Sequence, residues 1–181
     1  MQFEFITTNR LILTLVTPEV MDYVWLHYKE GEQMAFFSVD TVEELDFERK
    51  KYQLGLSTHD KTFRYFQISE KGSSKIIGWC GYHTWYLKHF RAEIGYGLFD
   101  DHYKEKGFMT EALTPIIAYG FSEMQLHRIE AFVGPNNSPS LNLMRKFGFT
   151  QEGQLRQHYL KDGKFEDSVV FSLLLEEYLN K

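Results

Sequence analysis

The chain has 181 residues, a formal charge of −5, 43% hydrophobic and 17% aromatic content, and a single cysteine. That length suits one domain over residues 1–181, with 16 Phe and 11 Tyr to fill a core. The acidic balance argues against direct nucleic-acid binding through a basic surface, Cys80 alone excludes an internal disulfide, and no run approaches the ~18 apolar residues of a membrane helix. With no basic-then-apolar leader either, the chain is expected to be cytoplasmic and off the membrane.

In chain order, Phe3 to Thr17 contains a first strand, where Leu11, Leu13 and Leu15 alternate with Ile12, Thr14 and Val16. Thr17-Pro18-Glu19 supplies an N-cap oxygen, a proline at the first helical position and an acid in the first turn. The helix it predicts passes through Met21, Val24, Trp25 and Tyr28 and stops near Gly31. Ser38 to Thr41 reads as a loop, and 42–56 as a charged surface helix. Strands follow at Thr62–Ser69 and Lys75–His83, joined by a turn at Lys71-Gly72-Ser73-Ser74. Trp85 to Phe90 is a short connection.

Arg91 to Phe99 is the fourth strand, with Ile94, Tyr96 and Leu98 alternating with Glu93, Gly95 and Gly97. Two glycines on one face point to close approach of a ligand or another backbone. Met109, Ala112, Leu113, Ile116, Ile117, Gly120, Phe121 and Met124 then form the stripe of an amphipathic helix. Pro115 lies inside it, and an interior proline predicts a kink or a later start. His127–Gly134 is a fifth strand. A loop over 135–139 leads into a helix with Leu141, Met144 and Arg145 that stops at Gly148. Phe149–Leu155 begins another strand, Tyr159–Gly163 ends in a tight turn, and Ser168–Leu175 is the last strand. The pattern is α+β: a mixed, mostly antiparallel sheet flanked by helices, with a βαβ unit in the middle.

The chemistry concentrates where the fourth strand meets the long helix. The first N–H groups of a helix lack internal partners and carry its positive end. Lys104 and Lys106 add charge there, and Gly107 allows close backbone approach. These features suit a phosphate or pyrophosphate; the alternative is a βα turn with solvated lysines. Gly95-x-Gly97 is no dinucleotide fingerprint, since position 100 is Asp, and no phosphate-binding Gly-x-x-x-x-Gly-Lys motif exists. The seven histidines never form H-E-x-x-H, so no metal is expected. Glu93, on the glycine face, is a candidate base, with an ion pair to Arg64 or Arg91 as its alternative. His158 reads as an exposed or packed histidine. Cys80, in an apolar run, reads as a packing thiol.

Ala92-Glu-Ile-Gly-Tyr96, Lys106-Gly-Phe-Met-Thr-Glu-Ala-Leu113, Asn137-Ser-Pro-Ser140 and Lys146-Phe-Gly-Phe-Thr-Gln-Glu-Gly153 together resemble the GNAT N-acetyltransferases. Within them the chain is similar to the RimJ/RimL group of ribosomal-protein N-terminal acetyltransferases, whose first strand Thr8-Asn-Arg-Leu-Ile-Leu13 also resembles. The resemblance implies acetyl-CoA as cosubstrate. Its pyrophosphate would meet the backbone of Lys104, Glu105, Lys106, Gly107, Phe108, Met109 and Thr110, and its pantetheine arm would pair with Gly97, Leu98 and Phe99. Asn137 would bond the pantetheine, Ser140 would serve the leaving thiolate, and Glu93 would be the base. His158 becomes a second candidate base only through this resemblance, in which the strand after the Gly-Phe motif lines the acceptor site.

Two departures stand out. Glu105 occupies a position where the family often has glycine, and Met144 replaces a tyrosine that many relatives use as an acid. By the same resemblance the first two helices border the acceptor site, with Tyr28, Phe36 and Phe37 as candidate walls. The acceptor that the resemblance implies is a primary amine, on a protein N-terminus or on a small molecule such as a polyamine, an amino acid or an antibiotic. A non-catalytic acyl-CoA-binding module is the reading from another class. The protein is expected as a monomer or homodimer.

Overall fold

A computed structural model describes residues 1–180. Strand β2 (Leu11–Val16) is buried at Leu11, Leu13, Leu15 and Val16 and half-buried at Ile12 and Thr14. It is flanked by β1 (Phe5–Thr7) and β3 (Lys61–Glu70), and the sheet continues through β4 (Ile76–Tyr86), β5 (Arg91–Leu98), β6 (Arg128–Val133), β8 (Lys164–Leu174) and β7 (Thr150–Lys161). Every neighbouring pair is antiparallel except β5 and β6. These two are joined by α4 (Phe108–Ser122), which forms the crossover a parallel pair needs.

Period-two alternation sorts the sheet's side chains into two layers. Phe66 and Ile68 of β3 face the main core with Leu11, Leu13, Cys80, Tyr82 and Ile94, beneath Leu113, Ile116 and Ile117 of α4. Phe63 and Tyr65 face the other way, where α1 (Pro18–His27) brings Val20, Met21 and Val24. Glycine holds α4 close to the sheet. The Tyr82 hydroxyl donates to the Ile116 carbonyl at 2.9 Å, and a methyl group on Gly120 would run into it. Cys80 is fully buried, which pushes its thiol pKa well up.

Several elements differ from the sequence reading. Gly31 does not end a helix. α1 stops at Tyr28, and α2 (Glu30–Phe37) starts at once, with the Glu32 carboxylate accepting the Lys29 N–H at 2.8 Å. Phe36 and Phe37 therefore lie on a helix, ahead of α3 (Val42–Gln53). α4 begins at Phe108 and runs unbroken through Pro115. Its length comes from burial, since Ala112, Leu113, Ile116 and Ile117 are each at most 2% exposed, and that packing outweighs the bond the proline omits. α5 (Ser138–Lys146) takes in Ser138 and Pro139 of the expected loop, because Asn137 caps it, and ends before the left-handed Gly148 as expected. The tight turn expected at the end of Tyr159–Gly163 falls at Asp162-Gly163, but β7 runs unbroken in sequence from Thr150 to it, past Leu155, and a short α6 (Leu175–Leu179) closes the chain.

Candidate active site

β5 and β6 pair over only three positions, Arg91 with Arg128, Ala92 with Ile129 and Glu93 with Glu130. An ion network ties the paired end. Arg91 holds Glu130 at 2.5 Å, Arg128 reaches Glu130 at 2.8 Å, and Arg128 forks onto Glu152 at 2.7 and 2.5 Å. That fork, joined by the Ser172 hydroxyl, pulls the Glu152 pKa down to about 2. Past Glu93 the strands part. β5 keeps its ladder with β4 and β6 its ladder with β8, so the backbone edges of Gly95 to Leu98 and Ala131 to Val133 face a gap. A cleft of about 240 Å3 opens there, lined by Trp79, His83, Glu93, Tyr96, Ser140 and Tyr159 among others.

Glu93 stands at the closed end with its side chain 15% exposed. Neither expected arginine takes it: Arg91 is held by Glu130, and Arg64 donates to the Tyr119 hydroxyl at 3.0 Å. Beside it lie the His83 ring at 3.3 Å and the Tyr159 hydroxyl, which donates at 3.2 Å. Burial, reinforced by the Glu93 charge, pushes the Tyr159 pKa up to about 12, so the phenol remains a donor at neutral pH.

The route of Tyr159 to this site is a bulge. Leu155 pairs with Ser168 and Tyr159 with Glu166, so three residues of β7 stand against Asp167 alone. Gln157 turns left-handed there (φ 51°), and Asp167 staples the loop by accepting the Gln157 N–H at 2.8 Å and the Gln154 amide at 2.6 Å. Such bulges re-aim side chains. His158 instead packs on the Phe132 ring and meets Ser168 at 3.1 Å, outside the residues lining the cleft.

The two glycines of β5 are covered by side chains, not by a backbone. A Cβ on Gly95 would come within 2.6 Å of the His83 ring and 2.8 Å of the Trp79 indole, and one on Gly97 within 3.5 Å of the indole nitrogen. The register places Trp79 opposite Gly97, and a shift in the β4–β5 ladder between Tyr82 and Thr84 falls at His83. Glycine at 95 is thus what lets His83 lie against the strand beside Glu93.

On the far wall, the Asn137 side-chain Oδ1 accepts the Ser140 N–H at 3.2 Å and caps α5. The Tyr96 hydroxyl is buried without a hydrogen bond of proper geometry. Burial raises its pKa, and the Ser140 hydroxyl nearby partly opposes that rise. Met144 is fully buried in the main core.

The turn before α4 is built as an anion cradle would be. Glu105 (φ 60°) and Gly107 (φ 78°) are left-handed, and Gly107 caps α4 so that the N–H groups of Phe108, Met109 and Thr110 lack helical acceptors. Left-handed backbone at Glu105 costs a side chain energy that a glycine there would not incur. Lys104 pairs with Asp101, and Lys106 lies 3.2 Å from His102. Glu111, tied to Thr8 at 2.6 Å and to Arg10 at 2.6 and 2.7 Å, anchors β2 to the start of α4. Burial raises its pKa, but these bonds outweigh that and hold it below the ordinary glutamate value.

A second cavity, of about 580 Å3, lies under α2 and α3. Phe36 and Phe37 line it, whereas Tyr28 packs edge-on against Phe3 and Phe36 in the neighbouring cluster. Trp79 and His83 line both this cavity and the cleft. A larger groove, about 870 Å3, runs between the 134–139 loop and the β7–β8 hairpin.

Trp79, His83, Tyr96, Tyr159 and Arg10 were not singled out from the sequence. The paired glycines of β5 were a signal that something covers that face, but which residues do so depends on strand register. Among the described residues, no helix is long and apolar enough to cross a membrane.

Comparison with known proteins bears on this geometry. Residues 10–150 match the family described as acetyltransferase (GNAT) domain. The uncharacterised N-acetyltransferase p20 of Bacillus licheniformis is 34% identical over 177 residues, covering 97% of this chain and 98% of that protein. The [ribosomal protein uS5]-alanine N-acetyltransferase of Escherichia coli (strain K12) is 31% identical over 115 residues, 63% of this chain and 59% of that one. Among solved structures, a GNAT-family acetyltransferase from Bacillus anthracis superimposes with a TM-score of 0.65 at 27% identity, covering 96% of this chain and all of that one.

Proposed function

The chain belongs to the acetyltransferase (GNAT) family and is an N-acyltransferase, and from that premise we propose that Glu93 and Ser140 serve acetyl transfer from acetyl-CoA to a primary amine by direct attack in a ternary complex. The observation that carries this reading is the parting of β5 and β6 beside Glu93, with a second cavity meeting the cleft at Trp79 and His83.

The residues present fit acetyl-CoA. The unpaired edge of Gly97 and Leu98, with Phe99 beyond it, offers strand-like partners to an extended amide arm. The turn from Lys104 through Glu105, Lys106, Gly107, Phe108 and Met109 to Thr110 offers backbone donors to phosphates. Asn137 would meet the arm from the other wall while capping α5. When bound, acetyl-CoA supplies the thioester that the amine attacks. Glu93 takes the proton that the acceptor ammonium must lose, directly or through His83. Tyr159 keeps Glu93 placed. The Ser140 hydroxyl donates toward the thiolate, with the buried Tyr96 hydroxyl beside it.

The acceptor amine belongs to a protein N-terminus or to a small molecule. The first is supported by the E. coli relative, a [ribosomal protein uS5]-alanine N-acetyltransferase that matches 63% of this chain. Thermal melting with acetyl-CoA, CoA, ATP and NAD tests the cosubstrate. At about 100 times Kd a ligand adds about 2.7 kcal/mol, a visible shift. Shifts with acetyl-CoA and CoA alone support the reading. Binding without turnover on any amine would favour the non-catalytic acyl-CoA module.

A further inference from the structure

Resting on the acetyl-transfer reading, we propose that the acceptor is a primary amine carried on an apolar or aromatic body, and that the site selects against polyamines. An acceptor reaches Glu93 through the cavity of about 580 Å3 that shares Trp79 and His83 with the cleft. That volume suits a ligand of small-molecule size or the first residues of a peptide. Its walls are dominated by rings, among them Phe36, Phe37, Phe63, Tyr65, Trp79 and Phe99.

Most of the polar groups in these walls are already engaged. The Glu48 carboxylate is paired with Lys51 at 2.5 Å, the Tyr52 hydroxyl donates to Asp22 at 2.8 Å, and the Gln67 amide donates to the Phe36 carbonyl at 2.5 Å. Glu48 is the single carboxylate among the lining residues, and Lys51 balances it.

A polyamine brings further ammonium groups, each needing an anionic partner once removed from water. This cavity has none to spare. An apolar body instead gains by leaving water against the rings. The one ammonium it carries is met by aromatic faces before losing its proton at the His83 and Glu93 end. The same chemistry is presented by a free arylalkylamine and by a peptide whose first residue is bulky and apolar.

The test is an acceptor panel on the full chain with acetyl-CoA, following CoA release with tryptamine, a short peptide beginning with Phe, and spermidine. The expected result is a kcat/KM for tryptamine or the peptide at least tenfold above that for spermidine. The better of the two separates a free amine from a peptide N-terminus. A smaller ratio, or a preference for spermidine, would overturn the inference while leaving acetyl transfer standing. Bound acetyl-CoA with no turnover on any of the three would overturn both.

Discussion

The Tyr159 hydroxyl, carried by the edge strand of the sheet, donates to the Glu93 carboxylate of a central strand across 3.2 Å. The two residues lie 66 positions apart and meet because a bulge in β7 turns the phenol toward the parted strands. Tyr159→Phe keeps the ring and removes the bond. Hydrogen bonds to charged groups contribute about 1.5–3 kcal/mol, so kcat is expected to fall roughly tenfold or more while Kd for acetyl-CoA is unchanged. Steady-state kinetics beside calorimetry checks both.

Gly120→Ala tests the seat of α4. The added methyl meets the buried Tyr82 hydroxyl and must displace it from the Ile116 carbonyl. Overpacking of this kind costs about 1–3 kcal/mol, and urea denaturation should show a midpoint lowered accordingly.

Glu105→Gly removes a left-handed side chain and a negative charge beside the proposed phosphate site. Left-handed backbone costs a non-glycine residue about 1–2 kcal/mol. The variant should melt higher and bind CoA several-fold more tightly, by thermal shift and by titration.

The ion network predicts an acid dependence. Glu152 is depressed from its ordinary value of 4.5 to about 2, chiefly by Arg128. A depressed carboxylate contributes stability that is complete above its unfolded pKa and is lost as pH falls through the folded one. Glu152 is partly exposed, so solvent screening reduces the amount. Stability of the wild type should therefore decline between about pH 4.5 and 2 more steeply than that of Glu152→Gln, as read by denaturant titrations across that window.

Much of this was legible because local signals agreed with the fold. Thr17-Pro18 started α1 and the period of two in Arg91–Phe99 gave β5, whereas Pro115 pointed the wrong way because one residue's missing bond does not report the burial of the stripe around it. α2 was missed because Gly31 read as a stop, whereas Glu32 restarts the helix by taking the Lys29 N–H. β7 was cut short because its bulge breaks the alternation, and with it went Tyr159. The glycine face announced a close approach, but the His83 and Trp79 that fill it come from register between strands, which one strand's sequence does not encode.

The most direct test of the account is Glu93→Gln, measured for kcat and for acetyl-CoA affinity on the same preparation. General base catalysis contributes roughly 10²–10⁴-fold, so kcat should fall by that order while Kd for acetyl-CoA remains within a factor of about two. Turnover equal to wild type across the pH range would contradict the account and remove Glu93 from the reaction.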